Sequence, residues 1–71
     1  DFSLVQNGST ITLSGMDAPA FDVQVFDLAG KMVEQFKGLQ GTATLSLRAK
    51  GVLQVRVISA KSRHTFMAKS L

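Results

Sequence analysis

Apolar and polar residues alternate in short runs along most of this chain, and Gly-containing turn sequences separate the runs. Phe21-Asp-Val-Gln-Val-Phe-Asp27 places Phe21, Val23 and Val25 on one face and Asp22 and Gln24 on the other, the period-two mark of a half-solvated strand. Leu53, Val55 and Val57 alternate in the same way with Gln54 and Arg56 over 52–58, and Leu45 and Leu47 continue the pattern over 43–48. Residues 2–6 and 10–14 flank Asn7-Gly8, a pair that tolerates positive φ and predicts a tight hairpin between alternating arms. Asp27-Leu-Ala-Gly30 has Asp at the first turn position and Gly at the fourth, which predicts a type I turn with a Gly bulge leading into a strand over 31–36. Residues 14–20 read as a loop, because Pro19 lacks the N–H a central strand needs. A second loop is expected over 37–42. Turns at Lys50-Gly51 and at 59–62 precede a last strand over 63–68.

These segments amount to seven candidate strands, and no stretch combines helical period with helical length and caps. The nearest, 31–36, is too short to stand alone as a helix. Short strands with two distinct faces predict an all-β fold, a small sandwich of about seven antiparallel strands. An open barrel is the competing architecture, and strand number favours the sandwich. A chain of 71 residues makes one domain with a small core, burying only about 60% of the surface its unfolded form exposes. With no Cys, neither a disulfide staple nor a thiolate metal site is possible.

Charge is distributed unevenly. The first 30 residues carry four Asp and no Lys or Arg, whereas 48–71 carry six Lys or Arg and no Asp or Glu. The formal net charge is +3 and the isoelectric point about 9.8. Nucleic acid is nevertheless a poor match, because binding grooves for it interleave stacking rings with cations. The five aromatics here are all Phe, and a core this small should absorb most of them. Carbohydrate stacking suffers from the same lack of Trp and Tyr. The basic C-terminal third, with Arg56, Lys61, Arg63 and Lys69, reads either as a solvated rim that blunts an edge strand or as a docking surface for an acidic partner, an anionic glycan or anionic lipid head groups.

Catalytic chemistry is not encoded in these residues. Asp22 and Asp27 lie five apart on one predicted strand and so point to opposite faces, which is unsuited to paired-carboxylate hydrolysis. Asp27 has a local role instead, accepting main-chain N–H groups in its turn. His64 is the only His, no GxSxG elbow accompanies it, and a metal centre would need more ligands than one imidazole and scattered carboxylates. The glycines are not followed by Lys-Ser/Thr and make no phosphate cradle. Gly8, Gly30 and Gly51 punctuate β elements. No cofactor is expected.

Several stretches carry a resemblance when taken together. Phe21-Asp-Val-Gln-Val-Phe-Asp-Leu-Ala-Gly-Lys-Met-Val33 resembles the apolar-alternating Asp-x-x-Gly-Lys segment of the C-terminal sorting domains of the bacterial type IX secretion system. Thr44-Leu-Ser-Leu47 is similar to their following short strand. Lys50-Gly-Val-Leu-Gln-Val-Arg-Val57 is similar to their Gly-Val-Tyr-x-Val-Arg-Val segment, with Leu53 where an aromatic is common. Thr65-Phe-Met-Ala-Lys69 is similar to their terminal strand. The likeness spans 10–69 in the correct order, and the basic balance is similar to that of terminal modules on plant-cell-wall-degrading enzymes of rumen bacteria. Asn7-Gly8 stands near where relatives often carry Pro-Asn-Pro. The resemblance implies an immunoglobulin-like sandwich at the C-terminal end of a larger secreted protein, with a polysaccharide-degrading catalytic domain upstream. Its implied partners are the outer-membrane secretion machinery and an anionic cell-surface glycan, reached through the periplasm. An accessory carbohydrate-binding or adhesion module is the alternative expectation, and a passive structural β domain is a third.

Overall fold

Period-two alternation sorts the side chains of each strand between a shared interior and one of two solvent faces. The computed structural model describes residues 3–14, 20–60 and 63–70, and within them this sorting builds seven strands and no helix. They are β1 (Ser3–Asn7), β2 (Thr10–Ser14), β3 (Phe21–Phe26), β4 (Met32–Leu39), β5 (Ala43–Ser46), β6 (Gly51–Ser59) and β7 (Arg63–Ser70). Every pairing is antiparallel, and the strands form two sheets, β1-β2-β5 and β4-β3-β6-β7. The order is that of an immunoglobulin-like sandwich in which the fourth strand joins the sheet of the third, sixth and seventh. The expected all-β sandwich is therefore the fold, rather than a single sheet curled into a barrel.

The core lies between the sheets and is aliphatic apart from Phe21. Ile11 and Leu13 from β2 face Phe21, Val23 and Val25 from β3 and Leu53, Val55 and Val57 from β6, all of them buried. Val23 pairs with Val57 and Val25 with Val55 across the β3–β6 ladder, so β-branched side chains sit opposite one another on the inner pleat. Leu45, Leu47 and Ala68 complete the buried set, and Leu4, Phe36 and Phe66 pack at its margins. Each fully buried Val, Leu or Phe contributes about 1.5–3 kcal/mol of transfer free energy, the main stabilising term in a chain without disulfides.

The hairpin turns differ from one another in how far the structure follows the sequence expectation. The Asp27–Gly30 turn forms as expected: Gly30 N–H donates to the Asp27 carbonyl at 3.0 Å, and Asp27 N–H donates to the Lys31 carbonyl at 2.9 Å. Asp27 Oδ1 also accepts the N–H groups of Ala29 and Lys31, both at 2.9 Å, and Gly30 adopts φ +88°. The first hairpin is offset by one residue. Asn7 is the last residue of β1 and pairs with Thr10, so the two-residue loop is Gly8-Ser9 rather than Asn7-Gly8. Only Gly8 has positive φ there, at +63°, which is the II′ pattern with Gly at the first central position.

Strand ends also run further than periodicity suggested. β4 continues to Leu39 through a register shift opposite Asp22, whose Oδ1 accepts Gly38 N–H at 3.0 Å. A loop was expected from Lys37, but this carboxylate holds the bulged backbone in the sheet. β5 stops at Ser46, two residues short of the expectation, although Leu47 N–H still reaches the Ser9 carbonyl at 2.8 Å. Gly51, expected in a turn, begins β6 with φ +92° and pairs with Ser70. The Pro19 loop, the Phe2 start of the first strand and Lys61 lie outside the described residues.

Side chains join the sheets along their open edges. Glu34 on β4 accepts Arg48 N–H, just past β5, with both carboxylate oxygens at 3.0 Å. At the other edge the Gln6 side chain on β1 meets the backbone of Lys69 on β7. Its amide N–H donates to the Lys69 carbonyl, and its Oε1 accepts Lys69 N–H at 3.3 Å. Ser70 Oγ lies 3.1 Å from Ser9 Oγ beside this contact. The final strand's outer edge is thus engaged at its C-terminal end, while its outward side chains stay exposed.

Candidate functional site: the outer face of the four-stranded sheet

Because Val55 and Val57 point inward, Gln54, Arg56 and Ile58 of β6 point away from the core. The registers carry that face across all four strands. Met32, Phe26, Gln54 and Met67 form one cross-strand row, and Gln35, Gln24, Arg56 and Thr65 form the next. Asp22, Ile58 and Arg63 make a third row, and Val52 pairs with Lys69 beyond Met67. Three of the four cations singled out from the sequence therefore share one face: Arg56 is half-buried, and Arg63 and Lys69 are exposed. Lys61 is outside the described residues.

Phe26 was assigned to neither face from the sequence; it lies on this outer face with the Arg56 guanidinium carbon 4.9 Å from its ring centroid. Such a cation–π contact at a partly exposed site contributes about 0.5–1 kcal/mol and fixes where the guanidinium sits. The signal was available in the parity of its own strand: Phe21, Val23 and Val25 are inward, so position 26 is outward.

The carboxylates are committed to the backbone. Among the described residues the acids are Asp22, Asp27 and Glu34, and each accepts at least one main-chain N–H. No two of them converge on a common hydrogen-bond partner in these contacts. His64 is exposed near the start of β7, with its ring stacked on Phe66 at a centroid distance of 6.4 Å. Among the described residues no group of three His, Cys, Asp or Glu is placed to hold a metal ion.

A concave feature lies elsewhere, an open groove of about 810 Å³ between the β4 and β5 edges, lined by Val33, Phe36, Thr44, Leu45 and Ala49 around Glu34. Its carboxylate is the one that holds Arg48 N–H. The turn residues named from the sequence shape the strand ends: Asn7 and Gly8 end the first hairpin arm, Asp27 and Gly30 shape the β3–β4 turn, and Gly51 opens β6. Compared as a whole, the chain matches no family model, no curated protein and no solved structure.

Proposed function

We propose that this chain is a non-catalytic C-terminal sorting domain that directs secretion and cell-surface attachment of an upstream cargo, a polysaccharide-degrading enzyme. The observation that carries the reading is the gathering of Arg56, Arg63 and Lys69 on one outward sheet face formed largely by the last hairpin, β6 and β7. The resemblance of residues 10–69 to type IX sorting domains adds to it, as does the commitment of the described carboxylates to main-chain N–H groups. The partners in this reading are the outer-membrane secretion machinery and an anionic surface glycan, with no nucleic acid and no cofactor.

The test is a full-length cargo fusion carrying Arg56→Glu, Arg63→Glu and Lys69→Glu together. Truncating β7 would remove Ala68 from the core and so confuse export with unfolding, whereas the charge reversals leave the buried residues untouched. The expected result is folded cargo held in the periplasm. Normal export of the triple variant would remove the reading. Saturable binding of the isolated domain to insoluble cellulose or xylan would favour an accessory carbohydrate-binding module instead.

A further inference from the structure

We infer that the outer face of the β4-β3-β6-β7 sheet docks an acidic segment of another polypeptide that presents apolar side chains at strand spacing. This rests on the recognition reading above and names the chemistry of what that face takes. A row across the sheet holds Met32, Phe26 and Met67, with Gln54 between the last two, and it is bracketed along the strands by Arg56 on one side and Lys69 on the other. Met67 is 57% exposed, Met32 42% and Val52 41%, large values for apolar side chains on a regular sheet. Asp22, which accepts Gly38 N–H, is the one carboxylate on these rows against Arg56, Arg63 and Lys69, so the face is cationic on balance.

The opposite outer face makes the contrast. On β1-β2-β5 the outward positions hold Thr10, Thr12, Thr44 and Ser46 among other uncharged groups, with Thr12 Oγ1 3.5 Å from Thr44 Oγ1 and no Lys, Arg, Asp or Glu. Among the described strand positions, the cations and the exposed methionines thus belong to the four-stranded sheet, and the exposed apolar group of the other face is Val5.

Complementarity to that side requires carboxylates flanking an apolar residue. An anionic glycan would meet the cations but leave the exposed methionines unmatched, and stacking of sugar rings is disfavoured because the face has no Trp or Tyr and its single ring carries the Arg56 guanidinium. Flexible, polarizable Met side chains adapt instead to the side chains of a protein partner. Adjacent strands lie about 4.8 Å apart, so the Met32-to-Met67 row spans roughly 14 Å, enough for four or so residues of an extended segment crossing it.

The test is an amide-shift NMR titration of the whole chain with a short alternating Glu-Leu peptide, with oligoglutamate of equal charge and with phosphatidylglycerol vesicles. The alternating peptide should shift Gln24, Gln54, Arg56 and Met67 and bind about tenfold more tightly than oligoglutamate. Met67→Ser should remove most of that preference, and Arg56→Glu with Lys69→Glu should remove binding, with both variants retaining the native amide dispersion. Equal binding of the two peptides, tighter binding to vesicles, or shifts confined to the β1-β2-β5 face would overturn the inference. The two readings fail separately. Export that survives Arg56→Glu with Lys69→Glu while peptide binding is lost counts against sorting alone. Export that needs these cations without any preference for the alternating peptide counts against the docking chemistry alone.

Discussion

Both carboxylate oxygens of Glu34 accept the main-chain N–H of Arg48, at 3.0 Å each. Glu34 belongs to the edge strand of one sheet, and Arg48 follows the edge strand of the other. Gln6 and Lys69 make the corresponding contact at the far edge. The two long sides of the sandwich are therefore tied by side chains where a barrel would have a continuous ladder. Such ties also occupy main-chain groups that an exposed edge would offer to another strand.

Glu34→Ala should lower unfolding free energy by about 1 kcal/mol, the range of a charge-assisted hydrogen bond reduced by its solvent exposure. Glu34→Gln keeps one acceptor and should lose less. Urea unfolding of the two variants checks the order, and equal losses would contradict the assigned contact.

Gln6→Ala should speed hydrogen exchange at the Lys69 amide while leaving the amides of Val55 and Val57 protected. Lys69 N–H has the Gln6 Oε1 as its partner at 3.3 Å, whereas the central β3–β6 ladder exchanges only when the sheet opens. Uniform acceleration across both sites would mean that the edge contact supports the whole fold rather than one strand end.

Gly30→Val should cost about 1–3 kcal/mol, because φ +88° strains any side chain and a β-branched one most. No atom lies within 4 Å of where a Cβ would stand, so the loss is conformational rather than steric. Gly30→Asn should recover part of it. For a domain of this size each kcal/mol lowers the melting temperature by about 4–8 °C, so calorimetry resolves the series. An unchanged melting temperature for Gly30→Val would disprove the turn assignment.

Leu53→Ala should cost about 2–5 kcal/mol and leave much of the protein unfolded at 37 °C, since Leu53 is 1% exposed in a core with no covalent staple. Phe26→Ala removes a larger side chain but, from a partly exposed site, should cost less than Leu53→Ala. Circular dichroism melts of the two variants test the assignment of faces directly, and a greater loss for Phe26→Ala would reverse it.

Much of the fold was legible along the chain. The inward set Phe21, Val23, Val25, Leu45, Leu47, Leu53, Val55 and Val57 follows from alternation, because a strand with one wet face leaves no other solution. Asp27 and Gly30 were legible for a related reason: their turn is closed by atoms within five residues of one another. The Gly8-Ser9 offset was missed because Asn-Gly and Gly-Ser both suit a two-residue hairpin. Pairing of Asn7 with Thr10 decides between them, and that depends on which faces of β1 and β2 meet the core.

The site was legible only in part. Arg56 could be placed outward from its own strand, but its position over Phe26 requires the β3–β6 register, which sets Gln24 opposite Arg56 and Phe26 opposite Gln54. Glu34 and Gln6 carried no signal at all. Each acts on a backbone group 14 or 63 residues away, and nothing in local spacing announces such a partner.

By itself the sequence determined which side of each strand is apolar, where the Asp27–Gly30 turn falls and which third of the chain is basic, since these depend on neighbours one to four residues apart. Tertiary structure alone decided which strands lie side by side, and hence that Arg56, Arg63 and Lys69 share a face with Phe26 and Met67. The physical reason is that antiparallel register is set by long-range burial, and one residue of slip would send every one of those side chains to the opposite face.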